Sequence, residues 1–293
     1  MNIHHQQFDN DKHQVREAVG SFLAEKFASY PATDVQAAAQ YAVMGGGHRW
    51  RPIVAVAAGR IFDDDALPAV LPGACGVELA HAASLVLDDL PSMDDAQLRR
   101  GKTSTHLAFP SWAVDMTPVF LITMAYDISL DNKLVSAERR VLAALELSRA
   151  GMAMITGQSQ DVLQVNDGDP SAAMLDCYMN KSGILYGAAA KAGAILCGAD
   201  AVDAELLRQA GELLGLSMQF IDDVADVDAN VDEVGKEPGK DVAKYTAIDW
   251  LGIEGTRSKS EEFQDEALTL LSKFGKEADW MRRLVREVSW ANY

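Results

Sequence analysis

Apolar residues recur at helical spacing along almost the whole chain. Near the start, Val15, Val19, Phe22 and Leu23 follow the pattern that lines one face of an α-helix. Strand signals are nearly absent, because the sequence has no Asn-Gly hairpin and no sustained alternation of apolar and polar residues between turns. Abundant alanine favours helices and their close packing. The sequence therefore predicts an all-α protein.

Turn residues divide the chain into successive helices. Thr33 or Asp34 can cap a helix that ends at the glycine triplet 45–47, and Pro52 suits the first turn of the next helix. Further helices are predicted at residues 70–90, 118–130, 138–157, 171–197, 203–224, 261–274 and 277–289, and a polar loop at 228–244. With no Pro- or Ser-rich linker, the chain is predicted to form one domain, 1–293, with a flexible N-terminus at 1–12.

The chain is acidic, with 43 Asp and Glu, 26 Lys and Arg and a net charge of −17. This excess argues against general nucleic-acid binding, but a local basic cluster or a bound cation can still hold a phosphorylated small molecule. Three cysteines, Cys75, Cys177 and Cys197, form no CxxC pair, so we expect buried thiols rather than zinc ligands or disulfides. The polar N-terminus lacks the apolar core of a signal peptide, and no uninterrupted apolar run reaches the roughly 18 residues of a membrane helix. We expect a cytoplasmic protein without a transmembrane segment.

Two acidic clusters each follow a strongly apolar helical stretch. Desolvated carboxylates repel one another, so this placement is unfavourable unless something compensates the charge. Either cluster alone could be a solvated helix end, but two of them in the same setting favour a functional site. The clusters contain Asp88, Asp89 and Asp94 in the first and Asp222, Asp223 and Asp226 in the second.

The spacing of these acids indicates a hard divalent cation. Asp222 and Asp226 are one helical turn apart, where two carboxylates can chelate an ion, and oxygen ligands select Mg²⁺ or Mn²⁺ over zinc. Asp88 and Asp94 would point apart on a regular helix, but Pro91 disfavours one, and a bend there could return Asp94 towards Asp88. Because Mg²⁺ also binds substrate phosphates, we predict two metal sites that face a shared diphosphate.

Basic residues lie close to these acids. Arg99 and Arg100 directly follow the first cluster, and arginine forks match phosphate oxygens. Upstream, a glycine turn precedes Arg49 and Arg51, without the GK[ST] ending of a Walker loop, and this segment alone could be an ordinary helix connection. His81 lies two helical turns before Asp88, which favours phosphate contact over a simple core role.

Together these residues resemble the trans-prenyl diphosphate synthases, the all-α enzymes that join isopentenyl diphosphate to an allylic diphosphate. The similarity runs from about residue 41 to 252 and is greatest to the bacterial short-chain geranylgeranyl and farnesyl diphosphate synthases. The family's two aspartate-rich motifs, DDxxxxD and DDxxD, match the two acidic clusters. Its RRG segment matches residues 99–101, and its GxxGQxxD-type segment appears around Gly157, Gln158 and Asp161. Its lysine–threonine pair appears as Lys181 and Ser182. Its two loop lysines appear as Lys236 and Lys244.

The resemblance implies an isoprenoid-synthase-type helical bundle around a deep central cavity, usually as a homodimer. Three Mg²⁺ ions, with Mn²⁺ as an alternative, would be held by Asp88, Asp89, Asp94, Asp222 and Asp226. The catalytic residues would be the same acids of the first motif together with Arg99, Lys181, Asp222 and Asp223. The allylic diphosphate would bind Arg99, Lys181, Ser182, Gln219, Lys236 and Lys244, and isopentenyl diphosphate would bind His48, Arg51, His81 and Arg100.

Product length is expected to depend on the bulk below the first motif, at Ala83, Ser84 and Phe120. Farnesyl-making bacterial relatives tend to carry an aromatic residue where Ala83 stands. The methyl side chain here leaves room for a longer tail and favours the twenty-carbon geranylgeranyl product. Phe120 falls where a small residue is common and could reduce the depth of the cavity, so a farnesyl product is the alternative.

Two other functions stay open at this stage. A head-to-head synthase, such as a squalene or phytoene synthase, is also helical and aspartate-rich but lacks the GG(K/H)RxRP segment. A catalytically weak regulatory subunit is suggested by His48, which replaces the family lysine and is neutral for much of its population near pH 7. Retention of all six motif aspartates argues against such a subunit.

Overall fold

The computed structural model describes residues 3–163, 168–228 and 245–288, and this part of the chain is almost entirely helical. The all-α prediction is therefore confirmed. The exception is one antiparallel pair of two-residue strands, in which Leu98 pairs with Thr103 and Arg99 with Lys102. The elements are α1 (Ile3–Ser29), α2 (Asp34–Met44), α3 (Trp50–Gly59), α4 (Ala66–Asp88), β1 (Leu98–Arg99), β2 (Lys102–Thr103), α5 (Thr105–Ala108), α6 (Ser111–Leu130), α7 (Ala137–Leu163), α8 (Pro170–Tyr178), a π-helical turn (Met179–Gly183), α9 (Ile184–Leu196), α10 (Ala201–Asp228), α11 (Ala247–Leu271), a 3₁₀ turn (Lys276–Ala278) and α12 (Asp279–Glu287).

Helix ends follow the capping chemistry of the sequence. The Thr33 side chain accepts a hydrogen bond of 3.1 Å from the Gln36 amide, so α2 begins where the sequence predicts. Thr246 and Asp249 form a reciprocal capping box at the start of α11. This helix therefore begins well before the predicted residue 261. The predicted loop at 228–244 lies outside the described residues except for residue 228, which ends α10.

The centre of the bundle is built from helices that approach closely through small residues. Helix α9 packs against α3, α7 and α10, while α4 packs against α3 and α6. A Cβ atom added to Gly193 would lie only 1.9 Å from the Ala55 carbonyl oxygen, so α9 and α3 are in backbone contact. The main core cluster combines buried side chains of helices throughout the chain, from Val15 of α1 to Val285 of α12.

Residues 3–12, within the segment 1–12 predicted to be flexible, belong to the N-terminal helix. Helix α1 begins at Ile3, and the Phe8 side chain is buried. Lys12 is also buried, and its ammonium group pairs with Asp9 at 3.2 Å and with Glu287 of α12. Lys12 thus links this polar segment to the far end of the chain. The sequence pattern could not reveal this partner, because it lies 275 residues away.

Two helices in the described part of the chain, α4 and α6, are long and apolar enough to cross a membrane. The sequence predicted no such segment. In α4, 72% of the apolar window is buried inside the protein, and in α6 the fraction is 50%. Core helices of globular proteins pass the same test of length and composition, so this is weak support for a membrane span.

The contact between α9 and α3 makes Gly193 a sensitive position. We expect Gly193→Ala to lower the free energy of unfolding by about 1–3 kcal/mol, because the added methyl group must push α9 away from the Ala55 carbonyl. Gly151→Ala in α7 is the matched control. Its methyl group meets nothing within 4 Å, so it should be neutral or stabilise by roughly 0.5–1 kcal/mol. Urea denaturation followed by circular dichroism measures both, and equal midpoints for the two variants would contradict the packing described.

Candidate active site

The first acidic cluster lies where α4 ends and the chain folds back on itself. The Asp94 amide donates a hydrogen bond of 2.9 Å to the Asp88 carbonyl oxygen, and the Asp95 amide donates one of 3.1 Å to Leu90. Asp95 has a φ of 46°, in the left-handed region, which closes the loop. The bend predicted at Pro91 is therefore present, and it returns Asp94 to Asp88.

Burial and charges of both signs act on Asp88, and together they raise the pKa of its carboxyl. Burial raises the pKa of the Asp88 carboxyl, Lys181 lowers it, and the neighbouring Asp94 raises it again. Two carboxylates that interact in a partly buried site favour a cation between or beside them. Asp89 has a different environment, because it is buried and accepts hydrogen bonds from the Arg99 guanidinium, with an Nε–Oδ1 distance of 3.0 Å.

The π-helical turn joins the two acidic clusters. Lys181 Nζ donates to Asp161 Oδ2 of α7 at 2.7 Å, next to Asp88. Its neighbour Ser182 donates to Gln219 Oε1 of α10 at 2.7 Å, one turn before Asp223. A Cβ atom at Gly157 would lie 2.6 Å from the Lys181 amide nitrogen, so only glycine allows α7 to approach this turn. The sequence predicted one continuous helix at 171–197 and missed this interruption.

The second acidic cluster lies on the last turns of α10. Asp222 and Asp226 are one turn apart, as predicted, and are partly buried. Asp223, by contrast, is buried among hydrogen-bond donors. It accepts hydrogen bonds from the Tyr178 hydroxyl at 2.7 Å, the Gln219 amide at 3.1 Å and the Ala247 backbone at 3.1 Å. Burial raises the pKa of Asp223 to about 6, although these three donors act in the opposite direction.

Arginines line the side of the site formed by α3 and α4. The Arg51 guanidinium stacks on the Tyr186 ring of α9 at 4.4 Å, and Arg100 Nη1 donates to the Gly46 carbonyl oxygen at 2.7 Å. Burial lowers the pKa of His81 well below its usual range, and Arg51 and Arg100 lower it further, so this imidazole is neutral at pH 7. The His48 side chain is exposed, and its predicted contact with substrate stays a prediction.

The carboxylates fit a hard cation whose coordination is completed by substrate. Among the described residues, no group of three or more acidic, histidine or cysteine side chains is placed to enclose a metal ion. Mg²⁺ usually takes one or two protein carboxylates and fills its other positions with water and phosphate oxygens. The pairs Asp88 with Asp94 and Asp222 with Asp226 have this oxygen-only character.

The residues predicted to control cavity depth lie in α4, for Ala83 and Ser84, and in α6, for Phe120. Ala83 is buried in α4, and Ser84 donates to the His81 carbonyl oxygen at 2.8 Å, within the helix. The Phe120 ring of α6 stacks on Phe27 with centroids 6.4 Å apart and meets the edge of Tyr30 at 5.4 Å. Phe120 is therefore part of an aromatic cluster with α1.

Glu78, Tyr178 and Tyr186 were not identified from the sequence, and no partner was predicted for Arg49. Arg49 and Glu78 form a buried ion pair, Tyr178 holds Asp223, and Tyr186 supports Arg51. The glycine turn drew attention to the segment that contains Arg49. The spacing of residues could not identify Glu78 of α4 as the acidic partner of Arg49. The predicted substrate-binding lysines Lys236 and Lys244 lie outside the described residues.

Comparisons with known proteins agree with this geometry. A model of the polyprenyl synthetase family matches residues 32–288. The chloroplastic geranylgeranyl pyrophosphate synthase 11 of Arabidopsis thaliana is 34% identical over 278 residues, which cover 91% of this chain and 78% of the relative. The apo structure of an FPP/GFPP synthase from Zymomonas mobilis is 28% identical with a TM-score of 0.85, covering 97% of this chain and 99% of that one. A Helicobacter pylori geranyltransferase, solved with magnesium and isoprenyl diphosphate, shares the fold at 22% identity and a TM-score of 0.82, covering 98% of both chains.

The neutral state of His81 predicts a pH dependence of stability. Its folded pKa lies below the unfolded value of about 6.5, so below pH 6.5 the unfolded chain binds a proton that the folded chain does not. Acidification from pH 7.5 to 5.5 should therefore destabilise the wild type more than His81→Gln, by up to about 1.4 kcal/mol. Urea unfolding of both proteins at the two pH values measures this difference. Identical pH dependences would show that His81 titrates alike in the folded and unfolded chains.

Proposed function

Because the chain belongs to the polyprenyl synthetase family and is a trans-prenyltransferase, we propose that it makes geranylgeranyl diphosphate. It would condense isopentenyl diphosphate head-to-tail with dimethylallyl, geranyl and farnesyl diphosphates. The product assignment is supported by the similarity to a plant geranylgeranyl pyrophosphate synthase over 91% of the chain and by the small side chain of Ala83. Farnesyl diphosphate is the alternative product, which the aromatic cluster around Phe120 favours.

One observation carries the assignment of the site. The π-helical turn brings Lys181 to the first acidic cluster and Ser182 to the second. The two clusters lie far apart in sequence, and neither cluster alone could bind a diphosphate through metal ions on both sides. With the π-helical turn between them, the two clusters form one site in which a diphosphate can bind Lys181 and the metal ions held by the acids.

The metal sites proposed are those of Asp88, Asp89 and Asp94 on one side and Asp222 and Asp226 on the other. We propose three Mg²⁺ ions, with Mn²⁺ able to replace them. When bound, they supply positive charge that stabilises the departing allylic diphosphate. Asp89 is bound to Arg99 in the present arrangement, so its part in metal binding requires that Arg99 turn to the substrate.

The chain's own cationic and polar side chains complete the site. Arg99, Lys181 and Gln219 would hold the allylic diphosphate, and Arg51, Arg100 and the neutral His81 would hold isopentenyl diphosphate. Departure of the diphosphate leaves an allylic carbocation, which the alkene of isopentenyl diphosphate attacks. The proton then lost passes to the released diphosphate, so no side chain need serve as the base.

A product assay tests this function. The pure protein is incubated with Mg²⁺, labelled isopentenyl diphosphate and, separately, each of the three allylic diphosphates, and the dephosphorylated products are sized by chromatography. We expect a geranylgeraniol band that disappears when Mg²⁺ is chelated. Farnesol alone would keep the enzyme class and change the product. No Mg²⁺-dependent product from any allylic diphosphate would overturn the proposal in favour of a regulatory subunit.

The position of Ala83 predicts how product length can be changed. Ala83→Phe should shorten the product to farnesyl diphosphate, because the ring fills space below the first motif. Phe120→Ala is the reciprocal variant and should give a product at least as long as that of the wild type. The same chromatographic assay measures both, and an unchanged product from Ala83→Phe would contradict this account of the cavity.

We further propose that two copies of the chain associate through α6 and α7. These neighbouring helices expose a large apolar face, and the exposure of such a face to water is unfavourable. Such faces are typical of permanent homodimer interfaces, which resemble a core cut in half. The face comprises Trp112, Met116, Val119 and Ile122 of α6 and Val141, Leu142, Leu145, Met152 and Ile155 of α7.

Sedimentation velocity tests the dimer. The wild type should sediment at twice the mass of the 31.7 kDa chain, and Val119→Glu combined with Met152→Glu should give the monomer, because each charge would be buried at the interface. Val202→Glu, an exposed valine of α10 outside this face, is the control and should stay dimeric. A monomeric wild type, or a dimeric double variant, would exclude this interface.

The cellular location is also a proposal. All three cysteines are thiols that form no disulfide, and Cys75 and Cys177 are buried, which suits a reducing compartment such as the cytoplasm. Fractionation of cells that express the protein, followed by immunodetection, would test this location. Enrichment in an organelle or membrane fraction would overturn it.

A further inference from the structure

A buried carboxylate lies among the arginines of the site and has no part in the function proposed above. The Glu78 side chain of α4 is only 2% exposed. Its Oε1 atom pairs with Arg49 Nη1 and lies 3.9 Å from Arg100 Nη2. A carboxylate is costly to bury unless cations and hydrogen bonds compensate it, so these contacts fix its position.

Arg49 turns away from the predicted substrate and into the protein. Its backbone has a φ of 55°, in the left-handed region, and the residue is buried. Besides the pair with Glu78, Arg49 Nη2 donates to the Val43 carbonyl oxygen at 2.6 Å. Arg49 thereby ties the end of α2 to α4 and holds the Glu78 carboxylate in one orientation.

Arg100 is held from two sides. Its backbone also has a φ of 55°, its Nη1 atom donates to the Gly46 carbonyl oxygen at 2.7 Å, and its Nη2 atom faces Glu78. A Cβ atom at Gly47 would lie 2.6 Å from Arg100 Cζ, so the glycine turn is shaped around this guanidinium. Burial lowers the pKa of Arg100, and Glu78 is the largest charge that favours its cationic form. A guanidinium has five N–H donors, so these two contacts leave others for a phosphate.

We propose that Glu78 is a positioning residue, whose carboxylate, anchored by Arg49, orients the Arg100 guanidinium towards the diphosphate of isopentenyl diphosphate. This inference rests on the proposed function, which places Arg100 in the isopentenyl diphosphate site. Glu78 touches no substrate itself. Its effect is specific to one of the two substrates, because the acids and Lys181 of the allylic site have separate partners.

Steady-state kinetics of Glu78→Gln tests the inference. The amide keeps the size of the side chain and removes its charge, so Arg100 loses the counter-ion that orients it. We expect the KM for isopentenyl diphosphate to rise by roughly tenfold or more, as for the loss of a charge-assisted contact, while kcat and the KM for the allylic diphosphate change less than about twofold.

Glu146→Gln is the matched control. Glu146 of α7 is also a buried carboxylate, and it pairs with Arg149 at 2.7 Å and Lys191 at 3.2 Å, away from the arginines of the site. This variant should keep both KM values at those of the wild type. A similar rise in the KM for isopentenyl diphosphate in both variants would overturn the inference, because it would reflect general loosening of the fold.

A double variant keeps the test decisive if Glu78→Gln does not fold. Arg49→Met with Glu78→Gln removes both members of the buried pair, which is often tolerated far better than removing one. It should show the same selective rise in the KM for isopentenyl diphosphate. An unchanged KM in either folded variant, or an equal loss in all three parameters, would overturn the positioning role alone. A wild type without turnover would overturn the proposed function, and this inference with it.

Discussion

The burial of carboxylates within helices and at their ends is the constraint on which the site depends. An isolated carboxylate in such surroundings is unfavourable, so each one determines where a cation or a set of donors must lie. Asp89 fixes Arg99, Asp161 fixes Lys181, and Glu78 fixes Arg49. These cations thus have defined partners in the folded protein before any substrate arrives, and Arg99 would exchange Asp89 for the substrate when the metal ions bind.

Much of the architecture was accessible from the sequence because it depends on local rules. Helical periodicity gave the fold class, and the preference of threonine for helix N-caps gave the start of α2 at Thr33. The conformational restriction at Pro91 gave the return of Asp94 to Asp88, which a backbone hydrogen bond closes. These features need only a few neighbouring residues, so short stretches of sequence contain enough information to predict them.

Features that depend on distant contacts could not be predicted in the same way. The polar N-terminal segment contacts α12 through the pair of Lys12 and Glu287, which are 275 residues apart. The pairing of Arg49 with Glu78 depends on how α3 packs beside α4, and the exposure of His48 follows from the same turn. The π-helical turn contains Asn180, Ser182 and Gly183, which are poor helix formers, but its contact with Gly157 of another helix could not be read from local sequence.

The π-helical turn also sets the rotational phase of α9. Such a turn contains one residue more than α-helical winding would. If all five residues of Met179–Gly183 were instead wound as an α-helix, the whole of α9 would rotate by about 100°. Gly187, which now lies against α10, would turn away, and a larger side chain would meet Gly211. The extra residue of the π-helical turn is therefore absorbed locally, so the turn can present Lys181 and Ser182 to the site while α9 keeps its register in the core.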